Sequence, residues 1–332
     1  MIDVLASEVH FADHLAAVYG ALPPEARGRA IAIGADVVER FRSHGIAAAT
    51  GAGAGDVPTL TASIGDLRRA ERNGRTRLAL MEHGAGQSYA GMASSGRHPS
   101  YAGGQRRETV ELFLHPGPHP ASRDRAAYPR ARVEIVGSPI LDILPAREGH
   151  AGSVVAISSH FDATISPEAT SGFSWARAYL GELTRTYEVL GHGHPRMLER
   201  LVPWYRRREI EVVPDFRDIL RRADVFIADN TSALFLFAAT GRPVVVLNPP
   251  QYRRDVHHGL RFWDAADVGI QVNRASEIPA AVARALELRP EDVAARERAL
   301  DLVYGYRTGA AKRAADALVD WAAGGRQLEA VA

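Results

Sequence analysis

The feature that most constrains this chain is an end-to-end alternation of short apolar runs with helix-like stretches. Runs such as 30–33, 77–81, 224–228 and 244–247 are of strand length and apolar enough to be buried on both faces. Between them lie segments of helical period at 11–22, 36–43, 64–72, 173–183, 196–205, 216–222 and 233–240. That alternation predicts βα units on parallel sheets, hence an α/β protein. The first half should hold a doubly wound sheet of about six strands, at 4–6, 30–33, 46–49, 77–81, 110–114 and 132–136. The second half should hold strands at 153–157, 186–190, 210–213, 224–228 and 244–247. The tail from 277 to 323 reads as helical, with a break near Tyr304-Gly305-Tyr306. No internal repeat is visible.

At 332 residues the chain exceeds the roughly 250–300 at which single cores tend to split. A polar stretch at 145–152, with a proline and two glycines, suits a linker between domains. The expected division is a Rossmann-like domain at 1–148, a second at 149–305, and a C-terminal helix at 306–332 packing back on the first. Residues 85–105, rich in Gly, Ser and Tyr, read either as a loop over a cleft or as plain connector.

The 40 basic and 39 acidic residues nearly cancel, so no global field recruits nucleic acid or an anionic membrane. The local runs Arg206-Arg207-Arg208 and Arg253-Arg254 are candidates for a local basic patch, with solvated helix ends as the commoner explanation. With no cysteine, disulfides, thiolate metal sites and cysteine nucleophiles are excluded. The first residues contain an early Asp3 and no long apolar run, unlike a signal peptide. No stretch reaches the ~18 apolar residues that would suggest a membrane span. A cytoplasmic location is expected, with peripheral attachment at the inner membrane face as a variant.

Three places can carry chemistry. The strand at 224–228 runs into Asp229-Asn230-Thr231-Ser232 and a strongly apolar helix. Backbone N–H groups in a helix's first turn lack partners, and the helix dipole adds positive charge there. Two hydroxyls at that point would help hold a phosphate; capping by Asn230 or Thr231 is the plain alternative. The second place is Glu82-His83-Gly84-Ala85-Gly86-Gln87, after a strand, where open parallel sheets bind ligands. His83 there can act as a general base, and Gly84 and Gly86 let backbone approach a ligand. A structural histidine is the alternative. The third is Gly191-His192-Gly193-His194-Pro195, read either as a loop placed to touch a diphosphate or base or as a turn with incidental histidines; no further ligand at useful spacing makes it a metal site. His257-His258 beside Asp255 reads as surface loop. Ser158 and Ser159 end a strand at the same kind of edge.

Taken together, these fragments resemble the CDP-glycerol glycerophosphotransferases and related teichoic-acid-type polyol-phosphate transferases. Leu80-Met81-Glu82-His83-Gly84 is similar to their strand ending in Trp-His-Gly. Gly137-Ser138-Pro139-Ile140-Leu141-Asp142 is similar to their Gly-x-Pro-x-x-Asp, and His194-Pro195 to their second His-Pro. Residues 223–232 with Gly241-Arg242-Pro243-Val244 are similar to Ala-Asp-x-x-Ile-Ser-Asp-Tyr-Ser-Ser and x-Lys-Pro-Val. The order and spacing match over about two-thirds of the chain. There are departures: Ala85-Gly86-Gln87-Ser88 lacks the family's Thr-Pro and lysines, His192 stands where an arginine is usual, and Asn230-Thr231 replaces Tyr-Ser.

The resemblance implies a GT-B architecture, two Rossmann-like domains facing a cleft, the first for the acceptor and the second for the nucleotide donor. It implies transfer of a glycerol-phosphate-like or glycosyl group to an acceptor hydroxyl, without metal or other cofactor. The acceptor would be a polymer or lipid-linked glycan of the cell envelope. His83 would be the base and His194 would assist the donor phosphate. Ser158, Ser159, His192, Asp229, Asn230, Thr231 and Ser232 would bind the donor, and Gly84, Gly86, Gln87, Gly137 and Asp142 would line the cleft. The rival readings are a GT-B nucleotide-sugar epimerase or hydrolase, using Glu82, Asp142 or Asp162 as its carboxylate, and a non-catalytic nucleotide-binding protein.

Overall fold

The apolar runs become the inner strands of two separate parallel sheets. The computed structural model describes residues 1–51, 53–85, 101–149, 153–162, 170–229, 231–252 and 267–329, with side chains to 324. These residues form two compact units, the first containing 1–85, 101–143 and the stretch from 303 onward, the second 144–302.

Unit 1 is a seven-stranded sheet of β1 (Ile2–Ala6), β2 (Arg27–Ala32), β3 (Ala48–Thr50), β4 (Thr59–Thr61), β5 (Leu78–Met81), β6 (Val110–His115) and β7 (Arg132–Ile135), in the order β3-β2-β1-β4-β5-β6-β7. Every neighbour pair is parallel. Successive side chains point to opposite faces, so Ala79 and Met81 enter one core while Leu78 and Leu80 enter the other. The first core is closed by α1 (Val9–Ala21), α2 (Ala35–Ser43) and α11 (Ala310–Glu329) through Leu15, Val18, Phe41, Leu318 and Trp321. The second is closed by α3 (Ile64–Arg72) and α4 (Pro118–Ala127) through Leu67, Ala70 and Ala121.

Unit 2 repeats the plan with six strands, β8 (Val154–Ser158), β9 (Glu188–Gly191), β10 (Glu211–Val212), β11 (Val225–Ala228), β12 (Val244–Leu247) and β13 (Ile270–Val272), in the order β10-β9-β8-β11-β12-β13. The strands again pair in parallel. On one face Val155, Ile157, Val225, Ile227 and Val245 meet α5 (Phe173–Glu182), α6 (Pro195–Arg206) and α9 (Ile278–Glu287). On the other, Phe226 packs edge-on to Phe216 of α7 (Phe216–Arg222) and stacks on Phe237 of α8 (Ala233–Ala238). The last helix of the unit is α10 (Pro290–Val303).

Four details differ from the sequence expectation. Strands β4 and β13 are additional, because Thr59, Thr61 and Gln271 break up their apolar signal. Strand β3 lies at Ala48–Thr50, further on than the apolar run at 46–49. Helix α4 begins on Pro118-His119-Pro120, where prolines suit a first turn whose N–H groups have no partner anyway. The tail breaks twice, once at Leu288, in the left-handed region at φ 51°, and again between Val303 and Ala310.

Candidate functional site

In both sheets the strand order reverses once, between β1 and β4 in unit 1 and between β8 and β11 in unit 2. Crossovers leave these adjacent strands in opposite directions, opening a crevice beyond their carboxyl ends where ligands of such sheets bind. The sequence-predicted residues divide between these two edges and positions that serve packing.

At the unit 1 edge, His83 follows β5 and is half-buried. Its Nδ1 lies 2.7 Å from the carbonyl oxygen of Ala62, just past β4. A carbonyl can only accept, so Nδ1 carries the proton and the neutral ring keeps its lone pair on Nε2. That is the tautomer of a general base held by its other nitrogen. His10, Phe11 and His14 from the first turns of α1 stand around it, with ring centroids 5.7, 4.7 and 6.1 Å from His83. His14 is buried, its Nδ1 without a partner among the described residues. Burial first, and the neighbouring His83 second, push its pKa down to about 3, so it stays neutral. His10 and His14 carry no local sequence signal and were not expected at this edge.

Glu82 points away from this chemistry. Its Oε1 accepts from Arg107 Nη1 at 2.8 Å, and the same nitrogen lies 3.3 Å from Asp124 Oδ2. Burial works against the charge of Arg107, but Glu82 and Asp124 outweigh it and raise the guanidinium above its ordinary value. Asp124 also accepts from the backbone N–H of Gly103. This buried cluster anchors the 101–107 segment beside the strand that carries His83.

Asp142 and Gly137, expected in the cleft, do other work. The two carboxylate oxygens of Asp142 each accept a backbone N–H, from Gly309 and Ala311, at 2.7 Å, capping α11. Gly137 sits at φ +89°, and a Cβ there would fall 2.5 Å from the carbonyl oxygen of Tyr306. The Gly-x-Pro-x-x-Asp segment is therefore the dock for the last helix. Gly84 is buried beside His83; Gly86 and Gln87 lie outside the described residues, as do Asn230, Arg253, Arg254, Asp255, His257, His258 and the 86–100 part of the expected loop.

At the unit 2 edge the ends of β9, β8 and β11 lie side by side. Asp229 is fully buried and ties the edge together, accepting from the backbone N–H groups of His160 at 2.7 Å and Gly172 at 2.8 Å. Both bonds brace the loops at this edge. His192 is also framework. Its Nδ1 is 2.8 Å from Ser158 Oγ, its ring tilts against Phe216, and burial pushes its pKa down to about 4 despite the opposing charge of Asp215. A neutral, buried imidazole brings no positive charge to this position. Gly191 before it lies against the Tyr205 ring, where a Cβ would fall 2.7 Å from ring carbons.

His194 is different. It caps α6, its Nδ1 accepting from the backbone N–H of Arg196 at 3.2 Å. In the neutral ring the proton is then on Nε2, which makes that atom a donor. Its own backbone N–H bonds to the carbonyl of Ser159 at 3.0 Å. The Ser159 hydroxyl is buried with no partner among the described residues, a cost unless something polar meets it. His160 and Phe161 complete the patch, with ring centroids 5.8 and 4.5 Å from His194; neither was singled out from sequence. Thr231 and Ser232 are half-buried before α8, and the Thr231 hydroxyl lies 3.4 Å from the N–H of Ala233. That helix is six residues long, so the hydroxyls and local N–H groups matter more here than a helix dipole.

Of the carboxylates an epimerase or hydrolase would need, Glu82 is paired with Arg107 and Asp142 is a cap. Asp162 accepts from Ser171 N–H at 2.9 Å and lies 3.3 Å from Arg200. Among the described residues no group of three or more His, Asp or Glu could hold a metal ion, and no helix is long and apolar enough to cross a membrane.

No protein-family model and no curated sequence matches this chain. Solved structures do match. The wall teichoic acid polymerase TagF, as its H444N variant with CDPG, superposes with a TM-score of 0.62 at 12% identity, covering 99% of this chain and 90% of that one. The S. aureus MnaA–UDP complex gives 0.62 at 13% identity, covering 94% of each. A candidate UDP-N-acetylglucosamine 2-epimerase from Listeria monocytogenes gives 0.58 at 12% identity, over 96% of this chain and 94% of that one. Identities this low establish the fold, two Rossmann-like units of parallel strands of the GT-B type.

Proposed function

We propose that this chain is a transferase that moves a glycerol-phosphate-like or glycosyl group from a nucleotide-diphosphate-activated donor to an acceptor hydroxyl. Unit 1 serves the acceptor and unit 2 the donor, as in the resemblance drawn from the sequence motifs. The observation that carries this reading is the opposite wiring of two histidines. His83 gives its Nδ1 proton to Ala62 and keeps a basic Nε2, whereas His194 accepts at Nδ1 and keeps an Nε2–H donor. One is set to take a proton and the other to give a hydrogen bond.

In the reaction the acceptor oxygen bonds to the phosphorus, or to the anomeric carbon, as its proton passes to His83 Nε2. The bond from that atom to the leaving phosphate oxygen breaks. The charge gathered on the departing phosphate is met by His194 Nε2–H and the hydroxyls of Ser159, Thr231 and Ser232. TagF was solved with CDPG and MnaA with UDP, which supports a nucleotide-linked donor for this chain and leaves the base to be found. The test is a calorimetric screen of CDP-, UDP- and GDP-linked glycerol and sugars against the full chain. Saturable binding of one series, with turnover when an alcohol acceptor is added, is expected. Binding of none would refute the reading, and binding without turnover against any acceptor would turn it into a nucleotide-binding protein.

A further inference from the structure

At the opposite edge of the unit 2 sheet from Asp229, a small pocket opens between the amino ends of β12 and β13 and the helices α9 and α10. Val244, Val268, Ile270, Ala285 and Val293 give it mostly apolar walls. Arg296 of α10 lines it and is only 6% exposed. Its Nε is buried without a hydrogen-bond partner among the described residues. It forms an ion pair with Glu297 Oε1, 3.5 Å from Nε, on a carboxylate that is 43% exposed. Asp292, also on the wall, is held bidentately by Arg284 at 2.5 and 3.0 Å. A buried guanidinium with so little compensation is costly. At the rim, Leu288 is 52% exposed, held there by a left-handed backbone at φ 51°.

A water molecule could satisfy the Nε–H but would bring no negative charge beyond the long pair to Glu297. A phosphate dianion brings more charge than one guanidinium balances and finds apolar walls. A carboxylate matches the planar guanidinium fork in charge and shape, and an alkyl tail would cover Leu288. We propose that this pocket binds a small aliphatic carboxylic acid, its carboxylate on Arg296 and its tail against Val293 and Leu288. The site is separate from the strand ends that carry His194, Thr231 and Ser232, and does not depend on the proposed transfer.

The experiment is an NMR titration of the full chain with n-butyrate, with butyramide and inorganic phosphate as controls at matched ionic strength. Saturable shifts for butyrate, and none for butyramide, are expected. Arg296→Met should weaken butyrate about 10–100-fold, the loss of hydrogen bonds to a charged group. It should also remain folded, because an apolar replacement of a poorly paired buried charge is tolerated. Val293→Phe keeps the arginine and fills the pocket, and should lose binding as well. Equal binding of butyrate and butyramide, phosphate saturating where butyrate does not, or both variants binding butyrate like the parent would each overturn the proposal.

Discussion

Asp142→Ala separates a structural reading of the Gly-x-Pro-x-x-Asp segment from a substrate-contacting one. The substitution removes two short bonds, from Gly309 N–H and Ala311 N–H at 2.7 Å, and leaves both donors at the start of α11. A hydrogen bond to a charged group contributes about 1.5–3 kcal/mol, and a lost N-cap costs about 0.5–2. Asp142 is exposed, so water recovers part of the loss, and about 2–3 kcal/mol in all is the reasonable figure. Asn in its place has one oxygen to offer, so Asp142→Asn should lose roughly half as much. With a urea dependence of about 2–3 kcal/mol per molar, the Ala variant should unfold at a midpoint ~1 M lower. Because two units can unfold separately, the loss should appear in the transition of unit 1. Hydrogen exchange should show it in Ala310–Glu329 before it appears in unit 2. Turnover of the folded Ala variant should stay near the parent's. A variant as stable as the parent within ~0.5 kcal/mol, but defective in turnover, would refute the capping account and return Asp142 to the substrate.

Acid should destabilise each unit through one buried histidine. His14 is held at about 3 and His192 at about 4, both below the ordinary 6.5, chiefly by burial. A base with a lowered folded pKa stabilises fully above its unfolded value, and that stability fades as pH falls through 6.5 toward the folded one. Each unit should therefore lose about 1.4 kcal/mol per pH unit over that window; His14→Leu should flatten the slope for unit 1, and an unchanged slope would count against the assignment. Thr231→Ala with Ser232→Ala should weaken donor binding by ~1–3 kcal/mol while melting within a few degrees of the parent. Undiminished calorimetric affinity in the folded double variant would remove these hydroxyls from the donor site.

What could be read from sequence follows from how local each signal is. The strands at Val154–Ser158 and Val244–Leu247 were legible because strands buried on both faces are unbroken apolar runs. Thr59–Thr61 and Ile270–Val272 were not, since each is three residues with polar side chains. The place of His83 at a strand's carboxyl end was legible, but its proton was not, because that depends on Ala62, a neighbour only once β4 and β5 pair. Asp142 read as a ligand-loop residue because its partners lie 167 and 169 residues onward. His192 read as a phosphate contact because nothing local announces that Ser158 and Phe216 enclose its ring. Conversely, His10, His14 and His160 gain interest only from the strand order.

The central claim is that His83 is the acceptor base, and the direct measurement is turnover of His83→Ala beside its donor affinity and melting temperature. With the donor that the screen identifies, affinity and melting should stay near the parent's while turnover falls by about 10²–10⁴-fold, the usual contribution of a positioned base. In the parent, turnover should fall on acidification as Nε2 takes up a proton, and the residual rate of the variant should lack that dependence. A stable His83→Ala protein turning over at the parental rate would contradict the account.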